Sequence, residues 1–186
     1  MKTISFNKNT VFSILLAVVC AAIIYRITPP YVEDVFDVVV SKNRSTITNI
    51  HQARDIEISK VVKVDRINLA EKSRFRHPKL GDIGYSGDFF VDIESTFLVK
   101  KAGAYVFYLG SDDGFSFSID GKKICEWPRE RPFNTNVCHV DLTAGQHSFK
   151  VTHYQGYGNA GLVMKYAFAA HRKQYFAGEN SQYLEF

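Results

Sequence analysis

The chain has 186 residues, of which 46% are hydrophobic, 14% aromatic and 23% charged. That is apolar enough to exclude a disordered chain, and the length suits one ordinary globular domain rather than two. Its 23 Lys/Arg exceed its 19 Asp/Glu by a net +4, too little to point to a nucleic-acid partner. Three Cys exclude a four-cysteine zinc framework and a disulfide-dense scaffold.

Residues 1–30 read as a membrane-targeting segment. Lys2 and Lys8 precede an uncharged run, 9–25, that is closed by Arg26 and then Pro29 and Pro30. Seventeen uncharged residues make a helix of roughly 26 Å at about 1.5 Å per residue, near the minimum for a bilayer core of about 30 Å. Two readings stand. An uncleaved anchor is favoured because Ile23 and Ile24 continue the apolar run past the small-x-small site at Val19 and Ala21, where a cleaved signal peptide turns polar. The expectation is a single-pass membrane protein with its domain outside the cytoplasm, periplasmic or at the cell surface.

Residues 31–56 follow as a basic neck. Residues 36–80 carry ten Lys/Arg and five Asp/Glu, a local +5, against −2 for 81–186 and +1 for 1–35. A membrane-proximal surplus of this kind fits a stalk near anionic head groups. Within it Phe36–Val40 reads as a short strand, 41–56 as polar with weak helical spacing, and Ile56–Ile67 as an irregularly alternating strand.

From residue 88 the pattern is period two, the mark of strands buried on one face. Phe89, Val91, Ile93, Phe97 and Val99 alternate with polar residues, as do Tyr105, Phe107 and Leu109, and Phe115, Phe117 and Ile119. Asp120-Gly121 is a hairpin turn. A strand over Lys122–Trp127, a polar loop over Pro128–Asn136 and a strand over Val137–Leu142 come next. Phe149, Val151 and His153 form another strand, Gln155–Gly161 a Gly-rich loop, and Leu162–Phe168 the last strand. About seven short strands with regular turns indicate an all-β antiparallel sandwich. His153, on the inward face, is expected to be a satisfied core residue.

Six stretches resemble one family in the expected order: Tyr85–Phe90 (YSGDFF), Ala102–Phe107 (AGAYVF), Gly110–Phe115 (GSDDGF), Ile119–Lys122 (IDGK), Leu142–His147 (LTAGQH) and Tyr154–Leu162 (YQGYGNAGL). Together they resemble the protective-antigen-fourteen (PA14) domain over roughly residues 57–170, leaving 171–186 as a C-terminal tail. The resemblance implies a lectin-like sandwich of the kind found in adhesins, flocculins, toxins and glycosidases. In the family's lectin branch, two adjacent Asp joined by a cis peptide bind Ca²⁺, which in turn binds sugar hydroxyls. The matching residues are Asp112 and Asp113. A second loop supplies one amide side chain, at Gln155, where lectin members usually carry the shorter Asn, and backbone oxygens at Tyr157 and Asn159. Clustered hard oxygens suit Ca²⁺. The same Asp pair also suits a purely structural part, capping backbone N–H groups in a tight turn. Tyr154 or Tyr157 could stack on a sugar face.

Cys125 and Cys138 bracket the polar loop in the exported part, where a disulfide is natural. Cys20 lies in the apolar span. The six His show no zinc spacing, and adjacent carboxylates are not the opposed pair that glycoside hydrolysis needs, so no catalysis is expected. Two functions remain open: a Ca²⁺-assisted carbohydrate-binding, adhesin-like module, or a non-catalytic interaction or structural subunit of an envelope or surface assembly. The corresponding partners are a glycan or a surface protein.

Overall fold

A computed structural model describes residues 7–28, 31–169, 171 and 173–186. Lys2, Pro29, Pro30 and the boundary residue Ala170 lie outside the described residues. The chain divides into two units, Met1–Tyr31 and Val32–Phe186.

The first unit contains one helix, α1 (Lys8–Ile27, 20 residues), whose N-cap Asn7 side chain accepts the Thr10 N–H. At about 1.5 Å per residue its length is roughly 30 Å, that of a bilayer core. None of its side chains is buried, unlike a helix packed in a soluble core.

The second unit is a β-sandwich. Its strands are β1 (Phe36–Asn43), β2 (Ile56–Val64), β3 (Asn68–Leu69), β4 (Arg76–His77), β5 (Gly81–Asp82), β6 (Phe89–Val99), β7 (Gly103–Asp112), β8 (Phe115–Ile119), β9 (Lys122–Trp127), β10 (Asn134–Leu142), β11 (Gly145–Gln155), β12 (Gly161–Phe168), β13 (Tyr175–Phe176) and β14 (Leu184–Glu185). One sheet has the order β2-β1-β6-β11-β8-β9, with β14 also on β6. The other has the order β10-β7-β12-β13, with β3 also on β12, and β4-β5 is a small separate hairpin. Antiparallel pairing lets each sheet bury one face and leave the other wet. The alternating residues therefore meet in the middle: Val91, Ile93, Phe117 and Val151 from one sheet, Phe107, Leu109, Leu162, Met164 and Tyr166 from the other, all fully buried.

Two segment readings are corrected. Residues 31–56 are not a neck, because β1 lies inside the sheet with Val40 opposite Val91 and Val38 opposite Ile93, and Phe36, Val38 and Val40 are core residues. Residues 44–55 form no helix. Instead Ile47 and Ile50 close a small second core over Phe90 and Tyr154. Many cations of the 36–80 surplus are ion-paired, for example Arg54 with Asp92, Arg66 with Glu179 and Lys79 with Asp65. Residues 171–186 are not a free tail either. Leu184 pairs with Val99, Tyr183 and Leu184 are buried, and Phe186 packs on Phe36 at 5.7 Å and Phe97 at 5.9 Å.

Candidate ligand-binding site

Three loops cross from one sheet to the other at one end of the sandwich. Asp112–Gly114 links β7 to β8, Pro128–Phe133 links β9 to β10, and Gly156–Ala160 links β11 to β12. The first crossing is tight enough to require glycine at 114: a Cβ there would lie 2.4 Å from Tyr154 Cε1 and 2.7 Å from the Trp127 carbonyl oxygen.

The bond between Asp112 and Asp113 is cis, and both side chains are buried. Asp113 ties the three loops together: its carboxylate accepts the Gly156 N–H at 2.9 Å and the Arg131 N–H at 3.3 Å. Asp112 accepts the Phe133 N–H at 3.1 Å. Burial, and then the charge of Asp113, push the Asp112 carboxyl up to about 6, against the opposing pull of the Phe133 N–H and Arg131. Burial, together with Glu130, also raises Asp113. Two buried carboxylates side by side thus carry negative charge that the surrounding dipoles do not fully compensate.

Above the pair lies a cleft of about 640 Å³ lined by Asp112, Asp113, Glu130, Arg131, Phe133, Tyr157 and Asn159, among others. Gln155, next in the chain to the Gly156 that Asp113 holds, is almost wholly buried and donates its amide N–H to the Asn159 carbonyl at 2.6 Å. Its Oε1 has no hydrogen-bond partner among the described residues, an uncommon and costly state for a buried acceptor. Four of the five residues expected from the sequence therefore line one cleft, and Gln155 is bonded to one of them. Tyr157 is 93% exposed. Tyr154 is not available to a sugar: it is fully buried and its hydroxyl donates to the Thr48 carbonyl at 2.9 Å. His153 is fully buried, its Nδ1–H donates to the Gly114 carbonyl at 2.9 Å, and its ring stacks on Phe75. Its Nε2 is unpartnered among the described residues, so the expected satisfaction is only half met. Burial pushes it down to about 3 and keeps it neutral.

The residues present fit a hard cation. No cluster of three His, Cys, Asp or Glu ligands occurs among the described residues, but two carboxylates, an orphaned amide oxygen and loop carbonyls are the oxygen set that Ca²⁺ takes.

The Pro128–Phe133 side of the cleft has no counterpart in the sequence expectations. Arg131 lies over the Trp127 ring at 5.2 Å and the Phe115 ring at 5.5 Å, and its guanidinium donates to the Ser111 hydroxyl at 2.7 Å. The one available signal is Phe133, an apolar residue in a polar loop, 48% exposed. The Cys125–Cys138 disulfide, with Cα atoms 5.9 Å apart, clamps the base of this loop and joins β9 of one sheet to β10 of the other.

The family profile described as PA14 domain matches residues 81–175. Among solved structures, the chain is similar to the PA14 domain of the MpAFP antifreeze protein, with 12% identity, coverage of 81% of this chain and 90% of that one, and a TM-score of 0.59. It is also similar to a PA14 sugar-binding domain from an RTX adhesin (16%, 78% and 99%, 0.58). A third is the Epithelial Adhesin 9 A domain from Candida glabrata in complex with Galb1-3GlcNAc (12%, 76% and 88%, 0.51). No curated protein sequence matches the chain.

Proposed function

The chain belongs to the PA14 domain family, and on that premise we propose that it is a carbohydrate-binding, adhesin-like module held at a membrane by α1 with its sandwich outside the cytoplasm. The observation that carries the reading is the cleft lined by Asp112 and Asp113, together with the unpartnered Oε1 of Gln155, whose amide is bonded to the cleft residue Asn159. Asp112, Asp113 and Gln155 would hold Ca²⁺, helped by the Tyr157 and Asn159 carbonyls, and the ion would supply open coordination positions for sugar hydroxyls. The chain's own residues do the rest: Tyr157 and Phe133 border the ligand, and Arg131 and Glu130 supply a donor and an acceptor. The sugar-binding names of two structural neighbours support this reading.

Calorimetric titration of the full chain in detergent micelles tests the metal. Millimolar Ca²⁺ releases or absorbs heat and raises Tm, because the ion binds the folded state. Asp113→Asn weakens binding about tenfold or more, since a hard cation prefers carboxylate to amide oxygen. The pH dependence follows from Asp112. Its folded pKa, about 6, is raised above the unfolded value, so cation-free protein loses stability from this group as pH rises from about 4 to 6. Calcium competes with that proton, so its affinity falls about tenfold between pH 7 and pH 5. No heat, no stabilisation and no calcium dependence of Asp113→Asn would leave the Asp pair as a structural clamp of three loops. The assembly-subunit reading would then take over.

The anchor is tested by protease added to intact cells or spheroplasts. The expected result is digestion of residues 31–186 from outside, with 1–30 protected. A soluble chain beginning near Ala22 would replace the anchor by a cleaved signal peptide.

A further inference from the structure

Phe133 borders two depressions. One is the cleft above the Asp pair; the other, of about 360 Å³, is lined by Tyr108, Thr135, Lys165, Gln174 and Phe176, among others. Strand geometry explains why the two are in line. Asp112, Gly110 and Tyr108 alternate along β7 and so share its outer face. Cross-strand register then lays out two rows: Thr135, Gly110 and Val163 abreast, and Val137, Tyr108, Lys165 and Phe176 abreast. The first row is low because it contains a glycine. A Cβ on Gly110 would lie 2.6 Å from Phe133 Cζ, and one on Gly161 would lie 3.3 Å from Phe133 Cδ2. Two strands thus leave a seat for the Phe133 ring, which still stays 48% exposed.

The second row carries polar and aromatic groups together. Lys165 Nζ lies 4.7 Å from the Phe176 ring centre, beside Tyr108, and Gln174 adds amide donors and an acceptor. Aromatic faces carry negative charge that attracts polarised C–H and N–H groups, and a pyranose presents C–H groups on its faces and hydroxyls on its rim. A groove with ring faces and side-chain hydrogen-bonding groups, sharing Phe133 with the cleft, suits further sugar units better than a protein helix. From Asp112 to Tyr108 the strand advances about 14 Å at about 3.4 Å per residue, longer than a single pyranose ring.

We infer that the outer face of the β10-β7-β12-β13 sheet, from Phe133 to Phe176, is a second subsite, and that the ligand is an oligosaccharide chain running from the Asp cleft across Phe133 rather than a lone terminal sugar. This rests on the carbohydrate reading above. The other neighbouring depression, toward Arg74, Asp82 and Tyr85, is bordered by the Arg74–Asp82 ion pair, and the Phe133 ridge does not run into it.

The test is a printed array of gluco-, galacto- and manno-oligosaccharides of one to six units, probed with the full chain in detergent micelles and millimolar Ca²⁺. Affinity rises about tenfold or more between one and three units in at least one series, equivalent to about 1.4 kcal/mol. Phe176→Ala and Lys165→Ala each flatten that rise while leaving single-unit binding as it was. Binding that is lost in Asp113→Asn but shows no length dependence in the wild-type chain overturns the second subsite alone. So does a length dependence that neither distal substitution alters. Absence of saccharide binding removes the carbohydrate reading and the subsite with it, whereas binding indifferent to Asp113→Asn takes the Asp cleft out of the ligand path and overturns the two-subsite chain.

Discussion

Replacing Phe107 by alanine lowers the unfolding free energy by about 3–5 kcal/mol, the range for deleting a buried phenyl ring. Phe107 lies in the middle of β7, between Cys138 of β10 and Tyr166 of β12. Its ring is fully buried, 5.2 Å from Phe117 of the facing sheet and 6.3 Å from Phe97. It therefore fills the space between the two layers. For a domain of this size, at roughly 2–4 °C per kcal/mol, Tm falls by about 6–20 °C. Thermal unfolding followed by near-ultraviolet circular dichroism reads this directly. If the alanine variant is too unstable to purify, Phe107→Leu keeps most of the volume and costs less. Ile58, 56% exposed on edge strand β2, is the comparison site, where alanine changes stability by no more than about 0.5 kcal/mol. Equal effects at the two positions would mean that the layers do not pack through Phe107.

Loss of the Cys125–Cys138 bond costs about 3 kcal/mol. The residues are 13 apart in sequence, and closing a loop near 15 residues removes about that much denatured-state entropy. The bond joins the edge strands of the two sheets, so its removal acts on more than the unfolded chain. Glu130, Arg131 and Phe133 all lie inside the closed loop and line the cleft. Cys125→Ser with Cys138→Ser should therefore lower the denaturant midpoint, raise the slope of the transition as the unfolded ensemble expands, and speed amide exchange over 128–136. Non-reducing mass mapping of the exported protein checks the bond itself. Free thiols at both positions, or unchanged exchange in that loop, would contradict the clamp.

The period-two run from residue 88 to 168 was legible because strands such as β8, and β6 along much of its length, have a drier and a wetter face, so local sequence carries the burial pattern. The hairpin at Asp120-Gly121 was legible for another local reason: Asp120 and Gly121 both adopt positive φ, at 49° and 75°, which this pair tolerates well. The Asp112-Asp113 pair and the Gly-rich loop were likewise short, contiguous signals. Irregular alternation in β2 has its own physical cause. It is an edge strand, so several apolar residues, Ile58 and Val61 among them, remain exposed, and the two faces differ less.

Short-range signals carry the apolar helix, the all-β class, most of the inner-face residues and the cysteine pair, because each depends on neighbours within a few positions or on a single loop bracketed by its ends. The residues of the candidate cation site lie on two separate loops and follow from the resemblance to the PA14 domain. Tertiary structure alone decided where the distant segments go. Residues 36–43 look like part of a charged stalk until Val40 is placed opposite Val91, and the last residues look like a tail until Leu184 is placed opposite Val99. Phe36, Val38 and Val40 alternate as a strand does, but local sequence does not say which strand, fifty or more positions away, supplies the apolar area and backbone hydrogen bonds that hold it. The same holds for the Pro128–Phe133 wall of the cleft and for the groove beyond Phe133. Those residues become neighbours of Asp112 only because three loops cross between the sheets at one end, held together by the Asp113 carboxylate and, at its base, by a disulfide.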